Sequence, residues 1–160
     1  MLRHGIAFDR DDPRCPPDPQ RPLTDKGLVR TRAVATGLRR IGLEIDAILT
    51  SPYLRARQTA DIVHDALAPE VPLKQLSSLV PDGEPAAMLK AIVAKKFDVP
   101  LCVGHAPSLD ALVAYVVGCD GPVLRLKKAG LCSLFIYRAA RGGGRLHAVL
   151  PPGMLRGLGE

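Results

Sequence analysis

Two short apolar runs, Ala47-Ile48-Leu49 and Leu101-Cys102-Val103, constrain this chain more than any other feature. Each stops abruptly at loop-forming residues: Thr50-Ser51-Pro52 after the first and Gly104-His105-Ala106-Pro107 after the second. Runs this short, with no polar alternation, read as strands buried on both faces. Helical segments surround them. Thr24 has the side chain of an N-cap; Leu28, Val34, Ala35, Leu38 and Ile41 then fall near one face, and Gly42 supplies a stop. A second helix is predicted from Tyr53 to about Leu67, with Ala56, Ala60, Val63 and Leu67 on one side. A third covers Ala86 to Lys96 on a stripe of Leu89, Ile92 and Val93, and a fourth begins near Ser108 and turns Leu109, Leu112, Val113 and Val116 inward. Leu131 to Tyr137 and Leu146 to Leu150 read as late strands joined across Arg141-Gly142-Gly143-Gly144. Asp9 to Pro22 is dense in Asp and Pro and reads as a loop; Pro69 to Pro85 is turn-rich. Strands alternating with helices predict an α/β fold with a largely parallel sheet.

Composition narrows the function. At 160 residues, without a repeat or a break, one domain over 1–160 is expected, since domains run to about 100–200 residues. The balance of 22 Lys+Arg against 16 Asp+Glu, net +6, favours an anionic partner. With 3 Tyr, 3 Phe and no Trp, the chain lacks the stacking platform that single-stranded nucleic acid needs, so no nucleic acid is expected. No run reaches the ~18 apolar residues of a membrane span, and Met1-Leu2-Arg3-His4 opens without the apolar stretch of a signal peptide. Cys15, Cys102, Cys119 and Cys132 are scattered, with neither zinc-knuckle nor redox spacing; Cys102 and Cys132 read as buried thiols, and a cytoplasmic location is expected.

In sheets of this kind the functional crevice lies beyond the carboxyl ends of the strands. Those ends hold Ser51 to Arg55 and Gly104-His105; Arg3-His4-Gly5 carries the same chemistry without a predicted strand before it. Arginine offers a planar fork that matches phosphate oxygens and keeps its charge. Neutral imidazole has a free lone pair at pH 7 and attacks phosphorus. Gly5 and Gly104 permit close backbone approach beside each histidine, and a helix beginning at Ser108 favours a nearby anion. The combination points to phosphoryl transfer through a histidine. Arg57, about 200° round the helix from Arg55, reads as solvated. Ser51 reads as a turn cap, Asp25 and Lys26 as helix-start charges, and His64 and His147 as surface or core residues.

Arg3-His4-Gly5-Ile6-Ala7 resembles the Arg-His-Gly signature of the histidine phosphatase superfamily. Pro22-Leu23-Thr24-Asp25-Lys26-Gly27 resembles the opening of that family's first helix, and Ser51-Pro52-Tyr53-Leu54-Arg55-Ala56-Arg57-Gln58-Thr59-Ala60 its Ser-Pro-x-x-Arg-Ala-x-Gln-Thr-Ala element. Val103-Gly104-His105-Ala106-Pro107 is similar to the motif of its second histidine, and Lys127-Lys128-Ala129-Gly130-Leu131 to the tail of the SixA-type branch. The resemblance implies a phosphoglycerate mutase-like fold, a three-layer sandwich with a mostly parallel central sheet flanked by helices. It also implies a phosphohistidine phosphatase working through a transient phosphohistidine on His4. Arg3, Arg55 and His105, with Gly5 beside them, would hold the phosphoryl group, and His105 would be protonated as the phosphate raises its pKa. Neither metal nor cofactor is implied. The implied partner is a phosphohistidine-bearing phosphotransfer protein. A small phosphorylated metabolite, handled by a broad phosphomonoesterase, and a catalytically weak phosphate- or phosphoprotein-binding module are the alternatives.

Two departures from the family follow. No carboxylate is securely placed to protonate a leaving group; Asp82 and Glu84 are the nearby candidates and read as solvated loop residues. Only Met1 and Leu2 precede Arg3, fewer than the roughly 5–6 residues of a common strand. A shortened central strand would leave its neighbours unpaired and the nucleophile poorly held.

Overall fold

The computed structural model describes Met1 to Gly159. The chain order is β1 (Leu2–Arg3), α1 (Asp25–Arg40), β2 (Ala47–Thr50), α2 (Leu54–Leu67), β3 (Leu73–Gln75), α3 (Pro85–Val93), β4 (Pro100–Gly104), α4 (Ser108–Val117), β5 (Leu131–Ile136), β6 (Gly144–Leu150) and α5 (Pro152–Gly159), with one 3-10 turn at Asp18–Gln20. The strands form one sheet in the order β3-β2-β4-β1-β5-β6. β3, β2, β4 and β1 run parallel, and β5 and β6 close the other side as an antiparallel hairpin.

The apolar tripeptides are interior strands because alternate residues feed two cores. Leu2, Ile48, Leu101 and Val103 face α1, α2 and α5 through Val34, Leu38, Ala60, Val63 and Leu155. Leu49, Cys102 and Cys132 face α3 and α4 through Met88, Leu89, Leu112 and Val113. The fold is therefore the expected helix–sheet–helix sandwich. Burial pushes the Cys102 thiol up to about 11, as suits an inert core cysteine.

The helix boundaries follow local chemistry. The Thr24 side chain accepts from Gly27 N at the start of α1, and Gly42 takes φ +66° just after it. The third helix is shorter than predicted: it starts at Pro85 under a Glu84 cap and ends at Val93. Beyond it, Lys96 has φ +57°, a left-handed conformation that stops a helix. β3 was not anticipated; its residues are half-buried or exposed and lack an apolar pattern. Neither was α5, whose Pro-Pro-Gly start reads as a turn.

The short start forms a working strand, contrary to expectation. Leu2 and Arg3 pair in register with Val103 and Gly104 on one side, and Leu2 with Leu131 on the other. Backbone bonds extend the ladder both ways, from Cys132 N to Met1 O (2.8 Å) and from His4 N to Gly104 O (2.9 Å). Two residues suffice because both neighbours are already present and Leu2 is fully buried between the layers.

Candidate active site

Three parallel strands deliver the site. His4 follows directly on β1, Ser51 on β2 and His105 on β4, and Arg55 is the second residue of α2, about one turn after Ser51. His4, Ser51, Arg55 and His105 are all buried. Burying polar groups is costly unless they are hydrogen-bonded, so their partners define the site.

His4 Nδ1 lies 2.7 Å from Gly5 O. A carbonyl only accepts, so Nδ1 carries the proton and Nε2 keeps the lone pair. Arg55 Nε approaches that Nε2 at 3.3 Å. The two imidazole centroids stand 5.0 Å apart at 55°. Burial first, then the neighbouring His105, holds His4 well below the ordinary histidine pKa, so the ring is neutral and nucleophilic at pH 7. Burial and then Arg55 push His105 down to about 3. His105 is therefore neutral in the free protein; the protonation expected of it has to come with a bound anion. His105 Nε2 meets Ser51 Oγ at 2.8 Å, while its buried Nδ1 has no protein partner among the described residues.

The motif residues that do no chemistry build this frame. Thr59 Oγ1 accepts from Gly5 N (3.0 Å) and donates to Arg55 O (2.7 Å), tying the nucleophile's turn to α2. Gln58 Oε1 accepts from Leu23 N at 2.7 Å, fixing the approach to α1. Gly5 takes part in the same frame. Its N–H is committed to Thr59, and a Cβ there would meet Thr31 Oγ1 at 2.3 Å. It is a close-packing glycine that holds His4.

The arginines behave differently from each other. Arg3 NH1 donates to Leu126 O at 2.8 Å, and its buried Nε has no partner among the described residues. Arg55 is held by a residue that sequence reasoning missed: NH1 donates to Asp18 O (2.7 Å) and NH2 to Asp18 Oδ2 (3.1 Å). Asp18 also pairs with Arg21 at 3.0 Å and Arg10 at 3.2 Å. Burial works against the Asp18 charge, but Arg55, Arg10 and Arg21 outweigh it and hold the carboxyl below its usual range. A carboxylate thus sits on the guanidinium fork expected to take phosphate oxygens. Its only sequence signal was an aspartate flanked by prolines, which reads as a turn.

The other candidates stand apart. Arg57 is exposed, as expected. Glu84 is spent on Ala86 N and Ala87 N, so it is an acceptor and not a proton donor; Asp82 is exposed. The Ser108 hydroxyl donates to backbone carbonyls of Val80 and His105. His64 lies 3.0 Å from Val71 O, and His147 packs against Phe135.

Two buried neutral imidazoles and two guanidinium groups gather at the carboxyl ends of a mostly parallel sheet, an arrangement chemically suited to histidine-dependent phosphoryl transfer. Residues 1–80 match the model of the histidine phosphatase superfamily (branch 1). The chain is 34% identical to the phosphohistidine phosphatase SixA of Escherichia coli K12 over 118 residues, 71% of this chain and 70% of that one. It is 44% identical over 140 residues to an uncharacterized protein of Picosynechococcus sp. strain PCC 7002, covering 84% of this chain and 82% of that one. A solved structure of the protein histidine phosphatase SixA complexed with tungstate superposes with a TM-score of 0.80 at 28% identity, covering 96% of each chain. The chain belongs to the histidine phosphatase superfamily. Within it the chain falls in the SixA-type branch, and it is a phosphatase-type hydrolase.

Proposed function

We propose that this chain is a metal-independent phosphohistidine phosphatase in which His4 is the nucleophile. The observation that carries this is the tautomer of His4: Gly5 O holds the Nδ1 proton, leaving Nε2 unprotonated with its lone pair toward Arg55, whose Nε donates to it at 3.3 Å, beside the His105 ring. Nε2 attacks phosphorus in line, the P–N bond to the substrate imidazole breaks, and that imidazole departs with the bond's electron pair. A proton on its distal nitrogen lets it leave neutral, so no positioned acid is needed. This suits a site in which the acids suggested by the sequence, Asp82 and Glu84, are exposed or committed to a helix cap and Asp18 is ion-paired with Arg55. Water then attacks phosphorus, the P–Nε2 bond breaks with its electron pair returning to Nε2, and both water protons leave on phosphate as dihydrogen phosphate. Arg3, Arg55 and His105 hold the equatorial oxygens, whose charge shifts most in the transition state.

The substrate is a phosphorylated protein carrying phosphohistidine, as the names of its relatives support. Four free cysteines, two of them buried, support a reducing cytoplasm as its location. Rapid quench with a ³²P-phosphohistidine peptide tests the reading. We expect acid-labile, alkali-stable label on His4, and faster turnover than with phosphoserine or 3-phosphoglycerate. Faster phosphoester hydrolysis would make the chain a small-molecule phosphomonoesterase. No label and no turnover would leave a phosphate-binding module.

A further inference from the structure

A cleft of about 520 Å³ shares Arg3 with the histidine pocket. Five cations line it: Arg3 at the end of β1, Arg30 on α1, Lys127 and Lys128 ahead of β5, and Arg156 on α5. No carboxylate lines it, and none of the five forms an ion pair among the described residues. The acids that bear on it are Asp9, toward Lys128, and Asp110, toward Arg3; Asp110 also accepts from Leu126 N at 3.0 Å. Burial, then Arg3 and Arg21, lowers the Lys128 pKa, which reports the same crowding of positive charge.

Like charges gathered without counter-charges repel and weaken the folded state, and they steer anions toward the surface that holds them. Arg14, Arg141 and Arg10 are neutralised locally by Asp12, Asp120 and Asp18. Arg32, Arg57 and Arg145 are exposed without an ion pair among the described residues, but the cleft at Arg3 differs in gathering five cations without ion pairs around one cavity. Its cations come from β1, α1, the segment ahead of β5 and α5, with no carboxylate among the lining residues. Several cationic contacts from separate elements suit a run of carboxylates on a protein surface.

We infer that this cleft is a second anion-binding subsite, taking acidic side chains that flank the phosphorylated residue of a protein substrate. The inference rests on His4 as phosphoryl acceptor and adds a reason why one phosphoprotein is chosen over another. Its cations lie outside the phosphoryl pocket except Arg3, which serves both.

The test uses the full chain and the triple variant Arg30→Ala/Lys127→Ala/Arg156→Ala, which spares Arg3 and every pocket residue. Two phosphohistidine peptides differ only in aspartate or serine flanks, and p-nitrophenyl phosphate reads the pocket alone. The native protein is expected to favour the acidic peptide at least about tenfold in kcat/KM at low salt. The preference should shrink toward unity in about 1 M NaCl, where the screening length is about 3 Å, and likewise in the triple variant. Turnover of p-nitrophenyl phosphate should stay within about twofold. Equal rates on the two peptides, or a triple variant that keeps the preference, overturns the inference. So does a loss confined to a small bisphosphate such as fructose 1,6-bisphosphate, which would assign the cleft to a second phosphate. If the native protein turns over nothing, the phosphatase reading fails instead. Fluorescence anisotropy of an unphosphorylated aspartate-rich peptide then decides the subsite: binding lost in the triple variant supports it, and equal binding overturns it.

Discussion

The two ends of the central sheet carry opposite chemistry. At the amino ends of β1 and β4 lies an apolar cleft of about 460 Å³, walled by side chains such as Phe97, Leu101, Leu134 and Tyr137. At the carboxyl ends lie His4, Ser51, Arg55 and His105, joined by Thr31, Thr50, Thr59 and Ser108; these are all the buried polar residues described. A parallel sheet lines up the ends of its strands, so loops from distant parts of the chain meet on one edge. The difference teaches that this protein accepts the cost of burying polar groups at one edge only and uses ordinary apolar packing at the other.

Substitutions can break that contrast or sharpen it. His4→Ala should give the largest effect, a loss of about 10³-fold or more in turnover with no covalent label. Retained activity would mean that the pocket is not where phosphoryl transfer occurs. Arg55→Ala should lower kcat/KM by about 10²-fold, through both constants, and Arg55→Lys should rescue little because an ammonium lacks the fork. Asp18→Asn should do the reverse on binding: inhibition by phosphate or vanadate should tighten by up to about tenfold, because a charge competing for Arg55 is gone. Weaker vanadate inhibition would show instead that Asp18 positions Arg55. At the opposite edge, Leu101→Ala should cost about 2–5 kcal/mol of stability by chemical denaturation. Well below its melting temperature, its kcat should stay within about twofold of the native value.

The same contrast has a pH signature. His4 and His105 are buried neutral, with pKa values below the unfolded value of 6.5. Below pH 6.5 the unfolded chain binds protons that the folded chain refuses, so stability rises with pH and falls as pH drops. For His105 this loss accrues from 6.5 down to about 3. Melting temperature should therefore fall between pH 7 and pH 4, and His105→Gln should flatten that slope. A slope identical to the native one would place the titrating groups elsewhere.

Much of the candidate site could be nominated from the chain. Arg55 and His105 follow short apolar runs, and strand ends are where a parallel sheet presents chemistry; Arg3 and His4, with only Met1 and Leu2 before them, were nominated by the Arg-His-Gly resemblance. What could not be read concerns partners across space. Asp18 lies 37 residues from Arg55, and Ser51 lies 54 from His105. Nothing local distinguishes a loop aspartate that clamps an arginine from one that merely turns the chain. α5 was hidden because Pro152, Gly153, Gly157 and Gly159 have poor helical propensity. It forms because Leu155 is fully buried against α1, where a Cβ on Gly37 would meet Leu155 O at 2.0 Å. β3 is an edge strand ordered by its pairing with β2.

The primary sequence alone determined the layered α/β architecture, because residue-by-residue polarity and turn chemistry are local properties that survive without the fold. It determined the identity of the imidazoles and guanidinium groups for the same reason. Only the tertiary structure decided which nitrogen of His4 is bare, that Gly5 braces the nucleophile, that Asp18 occupies Arg55, and that two residues make a sufficient central strand. Each of these depends on atoms from distant segments brought within about 3 Å, and hydrogen bonding and burial act over that distance, not along the chain.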